Sequence, residues 1–174
     1  MAWITKTVGT PAWCDYNTIG DWLTAAKADA TGGNLQQRAY IVGVVETTAF
    51  DNYGSWAAGS EIDITAYFGQ EPTAEFNTDN KACLCGAPGS IYFLDTTAGE
   101  DNYIDISIHD IVIKDSDIVF NYANENTLNC NIYNCVIYRT DQSYTNPSLY
   151  FVDTEVDQRS TNVFMSPFKE NSVL

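Results

Sequence analysis

The segment Ile106-Ser-Ile-His-Asp-Ile-Val-Ile-Lys-Asp-Ser116 is repeated, without a gap, as Cys130-Asn-Ile-Tyr-Asn-Cys-Val-Ile-Tyr-Arg-Thr140, 24 residues later (130 − 106). A copy at a fixed period of roughly 20 to 50 residues is typical of repeat architectures, in which each repeat stacks its inward side chains on the next. The period therefore predicts a solenoid. The apolar positions coincide at Ile106/Cys130, Ile108/Ile132, Ile111/Cys135, Val112/Val136 and Ile113/Ile137.

Three earlier segments carry weaker copies of the same apolar-x-apolar element: Tyr40-Ile-Val42, Ile62-Asp-Ile64 and Cys83-Leu-Cys85. With the two strong copies they start 22, 21, 23 and 24 residues apart, which predicts one coil of about 22–24 residues per repeat. The alternative is an antiparallel β-sandwich, which has no reason to preserve a gapless 24-residue copy. Asparagines near the last copies, Asn134 among them, are expected at left-handed turn positions.

The regular pattern loosens after Thr140. The segment Leu149-Tyr-Phe151 corresponds to Ile118-Val-Phe120 only if about seven residues are inserted between them, as solenoids allow in their loops.

The first 35 residues differ from the rest. A strand is expected over Trp3–Val8 and a short helix over Thr18–Asp29, with Asn17 or Thr18 as N-cap and Thr31-Gly-Gly-Asn34 as its end. The helix places its apolar residues at spacings of three and four, which predicts one buried face. That face consists of Ile19, Trp22, Leu23 and Ala26.

Length and charge bound the function. The 174 residues predict a single domain, with a strand and helix in 1–35, regular coils in 36–140 and a looser C-terminal part in 141–174. The 23 acidic against 8 basic residues give a net charge of −15, which argues against nucleic acid and anionic membranes as partners. Apolar runs fall far short of the ~20 residues that span a bilayer. Since the N-terminus lacks a basic region followed by an apolar stretch, we expect synthesis in a cytoplasm without classical secretion.

The order Thr7-Val-Gly-Thr10, Asp15-Tyr-Asn-Thr-Ile19 with Trp22, and then Tyr40-Ile-Val-Gly-Val-Val-Glu46 resembles the opening of right-handed parallel β-helix proteins of the pectate-lyase-like superfamily. More closely, it resembles β-helix virion proteins of tailed bacteriophages. The resemblance covers about residues 3 to 140. It implies an all-β fold, a short right-handed parallel β-helix with an N-terminal capping α-helix. It also implies either enzymes that act on acidic polysaccharides or non-catalytic parts of virus particles, and fold alone does not choose between them.

The chemistry for an enzyme is sparse in the sequence. A lyase would need acidic calcium ligands and a basic side chain close together, and the one candidate cluster is Asp105, Asp110, Asp115, Asp117, Lys114 and Arg139. We interpret it as a solvated acidic face with an Asp115–Arg139 ion pair between coils. His109 is the only histidine and is expected at the surface, without a partner for a zinc site or a proton relay.

The five cysteines are an odd number, which favours buried thiols over a disulfide framework. Period-2 alternation predicts that Cys83 and Cys85 face the core, and the repeat places Cys130 and Cys135 where isoleucines stand one copy earlier. We therefore expect no catalytic residues, no cofactor and no metal.

Aromatic residues outside the repeats are candidate partner contacts: Tyr53, Trp56, Phe164 and Phe168. The Gly-rich loop around Trp56 is consistent either with a protein contact or with a platform on which a sugar stacks. The C-terminal residues around Phe164 and Phe168 are apolar enough to cover the last coil or to lie on a neighbour.

The expected function is that of a non-enzymatic structural virion protein, a capsid decoration or cement protein on the capsid exterior. Its expected partner is the major capsid protein, and a homo-oligomer is possible. The alternative is a β-helix protein that binds or cleaves polysaccharide, as a tail-associated adhesin or a lyase.

Overall fold

The structure is a computed structural model, and it describes residues 2–47, 56–72, 81–95, 103–122, 127–138, 149–153 and 162–166. Within these residues the chain forms one helix and eleven strands. They are β1 (Ile4–Gly9), α1 (Ile19–Thr31), β2 (Gln36–Val42), β3 (Val44–Glu46), β4 (Ser60–Ala66), β5 (Cys83–Asp95), β6 (Tyr103–His109), β7 (Val112–Tyr122), β8 (Thr127–Tyr133), β9 (Val136–Tyr138), β10 (Leu149–Asp153) and β11 (Asn162–Ser166).

The strands form two parallel sheets, and the chain passes from one to the other. The six-stranded sheet has the order β1-β2-β4-β6-β8-β11. The five-stranded sheet has the order β10-β7-β5-β3, and β9 also pairs with β7. Parallel neighbours cannot be joined by a tight hairpin, so each return to the six-stranded sheet requires a long excursion of the chain.

The 24-residue copy read from the sequence is confirmed by the register. Ile106 pairs with Cys130 in the six-stranded sheet, and Val112 pairs with Val136 in the five-stranded sheet. The looser correspondence is confirmed as well, because Leu149 pairs with Ile118.

The prediction of a right-handed parallel β-helix with coils of about 22–24 residues is wrong. The described strands form two separate open sheets with no closed coil among them, and their spacing is uneven. Ile62 pairs directly with Ile106, 44 residues on (106 − 62), whereas Ile106 pairs with Cys130 after 24 (130 − 106). Cys83, counted as an intermediate copy, belongs to the other sheet, where it pairs with Val44 and Val112. Strands of both sheets share the apolar-x-apolar pattern, so the pattern alone did not separate them.

Left-handed residues stand where the chain leaves the six-stranded sheet. Asp110 follows β6 with φ of 56°, and Asn134 follows β8 with φ of 52°. Asp and Asn tolerate this conformation better than other residues with a side chain. The expected turn role is therefore confirmed for Asn134, and the equivalent corner in the preceding copy uses Asp110. It is wrong for the other asparagines of this region that the structure describes, because Asn121, Asn129 and Asn131 lie within strands.

Both sheets and the helix contribute to one core. Alternate residues of the six-stranded sheet, such as Ile64 and Ile108, meet Leu84 and Ile113 of the five-stranded sheet in one buried cluster. In the five-stranded sheet Cys83 is buried as predicted, at 2% exposed, but the predicted phase is wrong: Leu84 joins this core, and Cys83 and Cys85 do not. Register partners share a face, and Cys83 pairs with the exposed Val44, so the two cysteines lie on the other face of their sheet.

The predicted helix is confirmed. Thr18 is its N-cap: its hydroxyl accepts a hydrogen bond from the Asp21 N–H at 3.1 Å. The predicted apolar face is buried, and it packs on β1 and β2 at one end of the core. Its buried residues are Ile19, Gly20, Trp22, Leu23, Ala26 and Ala30.

The outer edge of β1 is occupied by the chain that follows it. The Thr7 N–H donates to Asp15 Oδ2 at 2.8 Å, and the Tyr16 N–H donates to the Thr7 carbonyl at 3.1 Å. The Gly9 N–H donates to the Tyr16 carbonyl at 2.9 Å. Gly9 is required here, because a Cβ at this position would lie 2.5 Å from the Val42 carbonyl oxygen.

The core makes a direct prediction. Ile64 is fully buried in β4, so Ile64→Ala is expected to lower the free energy of unfolding by about 2–5 kcal/mol in urea denaturation. Val44→Ala removes an exposed aliphatic side chain and is the matched control, with an expected change within about 0.5 kcal/mol. Equal losses in the two variants would contradict the assignment of the core.

Candidate functional site

The face of the six-stranded sheet turned away from the core, here called the outward face, is polar. Residues alternate along each strand, so those between core positions line this face. The register places Arg38 beside Asp63, Asp63 beside Ser107, and Ser107 beside Asn131. Two positions along, a second row runs through Tyr40, Thr65, His109 and Tyr133.

A groove of about 650 Å³ lies on this face. It crosses the strands from the β1 side to β8, which at about 4.8 Å per strand spans roughly 19 Å. Carboxylates, cations, amides and aromatic rings share its lining, so it offers both hydrogen bonds and ring faces to a ligand. It is lined by Trp3, Arg38, Glu61, Ile62, Asp63, Asp105, Ser107, His109, Asn131 and Tyr133.

His109 lies between two carboxylates at the floor of the groove. Its Nε2 is 2.9 Å from Asp63 Oδ1, and its Nδ1 is 2.7 Å from Asp110 Oδ2. A neutral imidazole has a proton on one nitrogen only, so both contacts are hydrogen bonds only when the ring is protonated. The geometry is therefore that of an imidazolium held by two carboxylates.

Asp63 is the centre of the network. Its side chain is 5% exposed, and its second oxygen accepts a hydrogen bond from Arg38 Nε. A buried carboxylate is costly unless it is paired and hydrogen-bonded, and here one cation on each neighbouring strand meets it. The network therefore ties β2, β4 and β6 together across the outward face.

The network shifts two pKa values in opposite directions. Burial by itself would lower the pKa of His109, but the hydrogen bonds to Asp63 and Asp110 and the attraction of these carboxylates outweigh burial and raise it. Burial by itself would raise the pKa of Asp63, but His109 and Arg38 outweigh burial and lower it. Both groups are thus held in their charged forms.

Aromatic rings support the charged groups. The His109 ring stacks on Tyr133, with centroids 4.6 Å apart and planes within 5°. The Arg38 guanidinium lies 4.6 Å from the centre of the Trp3 ring. Both contacts hold a cation against a π-face, which adds to the attraction from Asp63.

A second feature, here called the aromatic cluster, lies where β2 and β4 end. Its members are Trp13, Tyr40, Tyr67 and Phe68. Tyr67 has its ring centroid 5.4 Å from that of Trp13 and 5.8 Å from that of Phe68, and Tyr40 lies 5.5 Å from Phe68. Trp13 is 57% exposed and Phe68 is 72% exposed. Tyr40 also belongs to the outward face, so the cluster and the groove adjoin.

The structure gives different outcomes among the four predicted partner contacts. Trp56, expected in an exposed loop, is 2% exposed and packs in the core directly before β4, so the prediction of its exposure is wrong. The Gly-rich sequence around Trp56 favoured an exposed loop. In the structure its large indole fills part of the core instead. Tyr53 and Phe168 lie outside the described residues. Phe164 lies in β11 beside Asn131, and its role stays a prediction.

The candidate lyase cluster is divided between the two sheets. Asp105 lies in β6, whereas Asp115 and Asp117 lie in β7 of the other sheet, and Arg139 is outside the described residues. His109, expected at the surface, has a side chain only 16% exposed and is bound on both sides. Burial raises the pKa of the partly buried Cys135 thiol to about 12, so it stays a neutral side chain.

Sequence reasoning missed Arg38, Glu61 and Asp63. A signal was present, because polar or aromatic residues alternate with core residues in the same phase on four strands. The strings are Gln36-x-Arg38-x-Tyr40, Glu61-x-Asp63-x-Thr65, Asp105-x-Ser107-x-His109 and Asn129-x-Asn131-x-Tyr133. Only the structure shows that these strings, which lie 24 to 44 residues apart along the chain, are in register with one another.

Two kinds of feature are absent from the described residues. No group of three or more His, Cys, Asp and Glu residues is placed to hold a metal ion there. In the same part of the chain, no helix is both long and apolar enough to span a membrane.

The chain matches no family model, no curated protein and no solved structure. The resemblance to phage virion proteins therefore stays a prediction.

The network predicts how stability depends on pH. The contribution of His109 is fully present below its ordinary pKa of 6.5 and is lost as pH rises through its raised folded-state pKa. The contribution of Asp63 is fully present above its ordinary pKa of 3.8 and is lost as pH falls through its lowered folded-state pKa. The free energy of unfolding, measured in urea across pH, should therefore contain the whole contribution between pH 3.8 and 6.5.

The single imidazole can be followed by NMR. Its signal should titrate above pH 6.5 in the folded chain. His109→Gln is the control variant, because it cannot titrate, and the loss of stability on the alkaline side should shrink. An imidazole that titrates below pH 6.5 would contradict the network.

Proposed function

We propose that this protein is a non-enzymatic structural component of a bacteriophage particle that binds the exterior of the assembled capsid. The observation that supports the proposal best is the aromatic cluster. Large aromatic side chains are enriched in protein interfaces, and they are costly to leave in water. A chain that exposes Trp13 and Phe68 on either side of Tyr67 offers a surface for a protein partner.

The scaffold beneath the cluster favours such a role. The Tyr67 N–H donates to the Ile41 carbonyl at 2.9 Å, and the Gly43 N–H donates to Gln70 Oε1 at 2.7 Å. These bonds fix the turn that carries Tyr67 and Phe68 to the end of β2. A surface fixed before binding loses little conformational entropy when the partner docks.

The mechanism follows from mass action. A protein that binds the assembled shell and not its separate subunits stabilises the assembly by an amount that grows with its concentration over its Kd. The major capsid protein is the proposed partner, and several shell subunits would be bridged at their outer surface.

Three charged residues of the groove have a structural role, because they bind one another. Arg38, Asp63 and His109 bind one another, and protonated His109 has no free nitrogen with which to accept a proton. Their proposed role is therefore to hold the strands of the outward face together.

Copy number tests the proposal. Quantitative mass spectrometry of purified particles of the encoding virus should give a ratio to the major shell protein near a simple fraction, corresponding to tens to hundreds of copies. A shell lattice repeats its binding sites, which is the reason for this expectation. A handful of copies would place the protein on the tail, and its absence from particles would overturn the proposal.

A second candidate function, polysaccharide binding, is favoured by the groove. Asn131, Ser107 and Glu61 bring hydrogen-bonding groups to the lining, and Tyr133 brings a ring. Sugars are bound in proteins through hydroxyl hydrogen bonds and through stacking of their C–H faces on aromatic rings. The roughly 19 Å span suits an extended oligosaccharide rather than a single sugar.

Glycan-array binding tests this candidate. Tyr133→Ala should reduce any glycan affinity by about tenfold or more, since one aromatic platform is lost. Tyr67→Ala removes an equal ring from the aromatic cluster and should leave glycan binding unchanged. Binding that is insensitive to Tyr133→Ala would contradict the groove as the site. Release of unsaturated uronate from acidic polysaccharide, followed by absorbance, would instead indicate a lyase.

A further inference from the structure

We infer that the aromatic cluster binds cationic side chains, arginine above all, on a protein segment of its partner. The inference rests on the proposed function, because it names the surface and the chemistry of the partner in that same interaction. The occupant is a basic protein segment.

The arrangement of the rings favours a cationic ligand. Tyr67 lies between Trp13 and Phe68, with interplanar angles of 54° and 70° to them. Trp13 and Phe68 are mostly exposed, and Tyr67 is partly buried between them. The faces of Trp and Tyr attract cations through their quadrupoles, and a guanidinium stacks on them better than an ammonium does.

Charge is the second argument. The net charge of −15 repels a second copy of the chain and attracts a basic partner. Attraction over the whole surface brings the segment close, whereas specific binding requires contacts at short range. Exposed rings that attract cations provide such contacts without adding further negative charge.

The chain itself contains an example of this contact. Arg38 places its guanidinium 4.6 Å from the centre of the Trp3 ring, in the lining of the groove. An arginine of a partner at Trp13 or Tyr67 would repeat the Arg38–Trp3 geometry.

The experiment uses the full chain and a fluorescently labelled hexa-arginine peptide. Binding is measured by fluorescence anisotropy at about 0.15 M and about 0.5 M salt, because added salt screens the diffuse attraction of the acidic surface. The test variant is the double substitution Trp13→Leu/Phe68→Leu, which removes two rings but keeps apolar side chains and the net charge. We expect hexa-arginine affinity to fall about 5- to 30-fold at both salt concentrations.

Two controls isolate the rings of the cluster. Trp3→Leu removes a tryptophan whose face Arg38 already covers, so affinity should stay within about twofold of the parent chain. Hexa-lysine carries the same charge but should bind the parent chain more weakly, since an ammonium stacks less well. Far-ultraviolet circular dichroism checks that the double variant is folded, and the single variants Trp13→Leu and Phe68→Leu replace it if it is not.

Two results would overturn the inference. Equal hexa-arginine affinity of the parent chain and the folded ring variants would overturn the inference. Sedimentation showing a dimer that Trp13→Leu/Phe68→Leu abolishes would also overturn it, because a second copy would then be the occupant. The peptide assay needs no virus, so a ring-dependent affinity together with absence from particles would remove the proposed shell partner and keep the cationic chemistry of the cluster.

Discussion

The parallel register of the six-stranded sheet is the constraint on which the rest of the structure depends. It places isoleucines such as Ile62 and Ile106 side by side in the core and, one residue along, brings Asp63 beside Arg38. A slip of one residue would turn the isoleucines to water and the carboxylate into the core. The core and the outward face therefore specify the same register from opposite sides.

The buried carboxylate of Asp63 allows little displacement of the strands from this register. Asp63 meets Arg38 from β2 and His109 from β6, and removal of either cation would leave an incompletely compensated charge at a site that water hardly reaches. Hydrophobic contacts tolerate small displacements, whereas hydrogen bonds of 2.7 to 2.9 Å to both imidazole nitrogens do not. The polar network thus adds geometric precision to a core that already provides the main driving force.

Local features were predictable from the sequence, and sheet membership was not. The helix followed from the Thr18 cap and the spacing of its apolar residues, and the Ile106/Cys130 pairing followed from a gapless copy. Cys83 was assigned to the wrong sheet because a three-residue apolar-x-apolar string does not say which long-range partner it pairs with. For the same reason the burial of Trp56 and the meeting of Arg38, Asp63 and His109 appeared only when distant strands were placed together.

The side chain of Asp15 has a consequence for the behaviour of the protein at high concentration. An outer parallel strand with open N–H and carbonyl groups is a template for strands of other molecules, and such pairing leads to aggregation. Here a carboxylate and a short piece of the following chain take up the Thr7 and Gly9 groups that a foreign strand would need. At this edge, molecules crowded together are kept from joining into a continuous sheet, so they can approach one another through side chains and still separate.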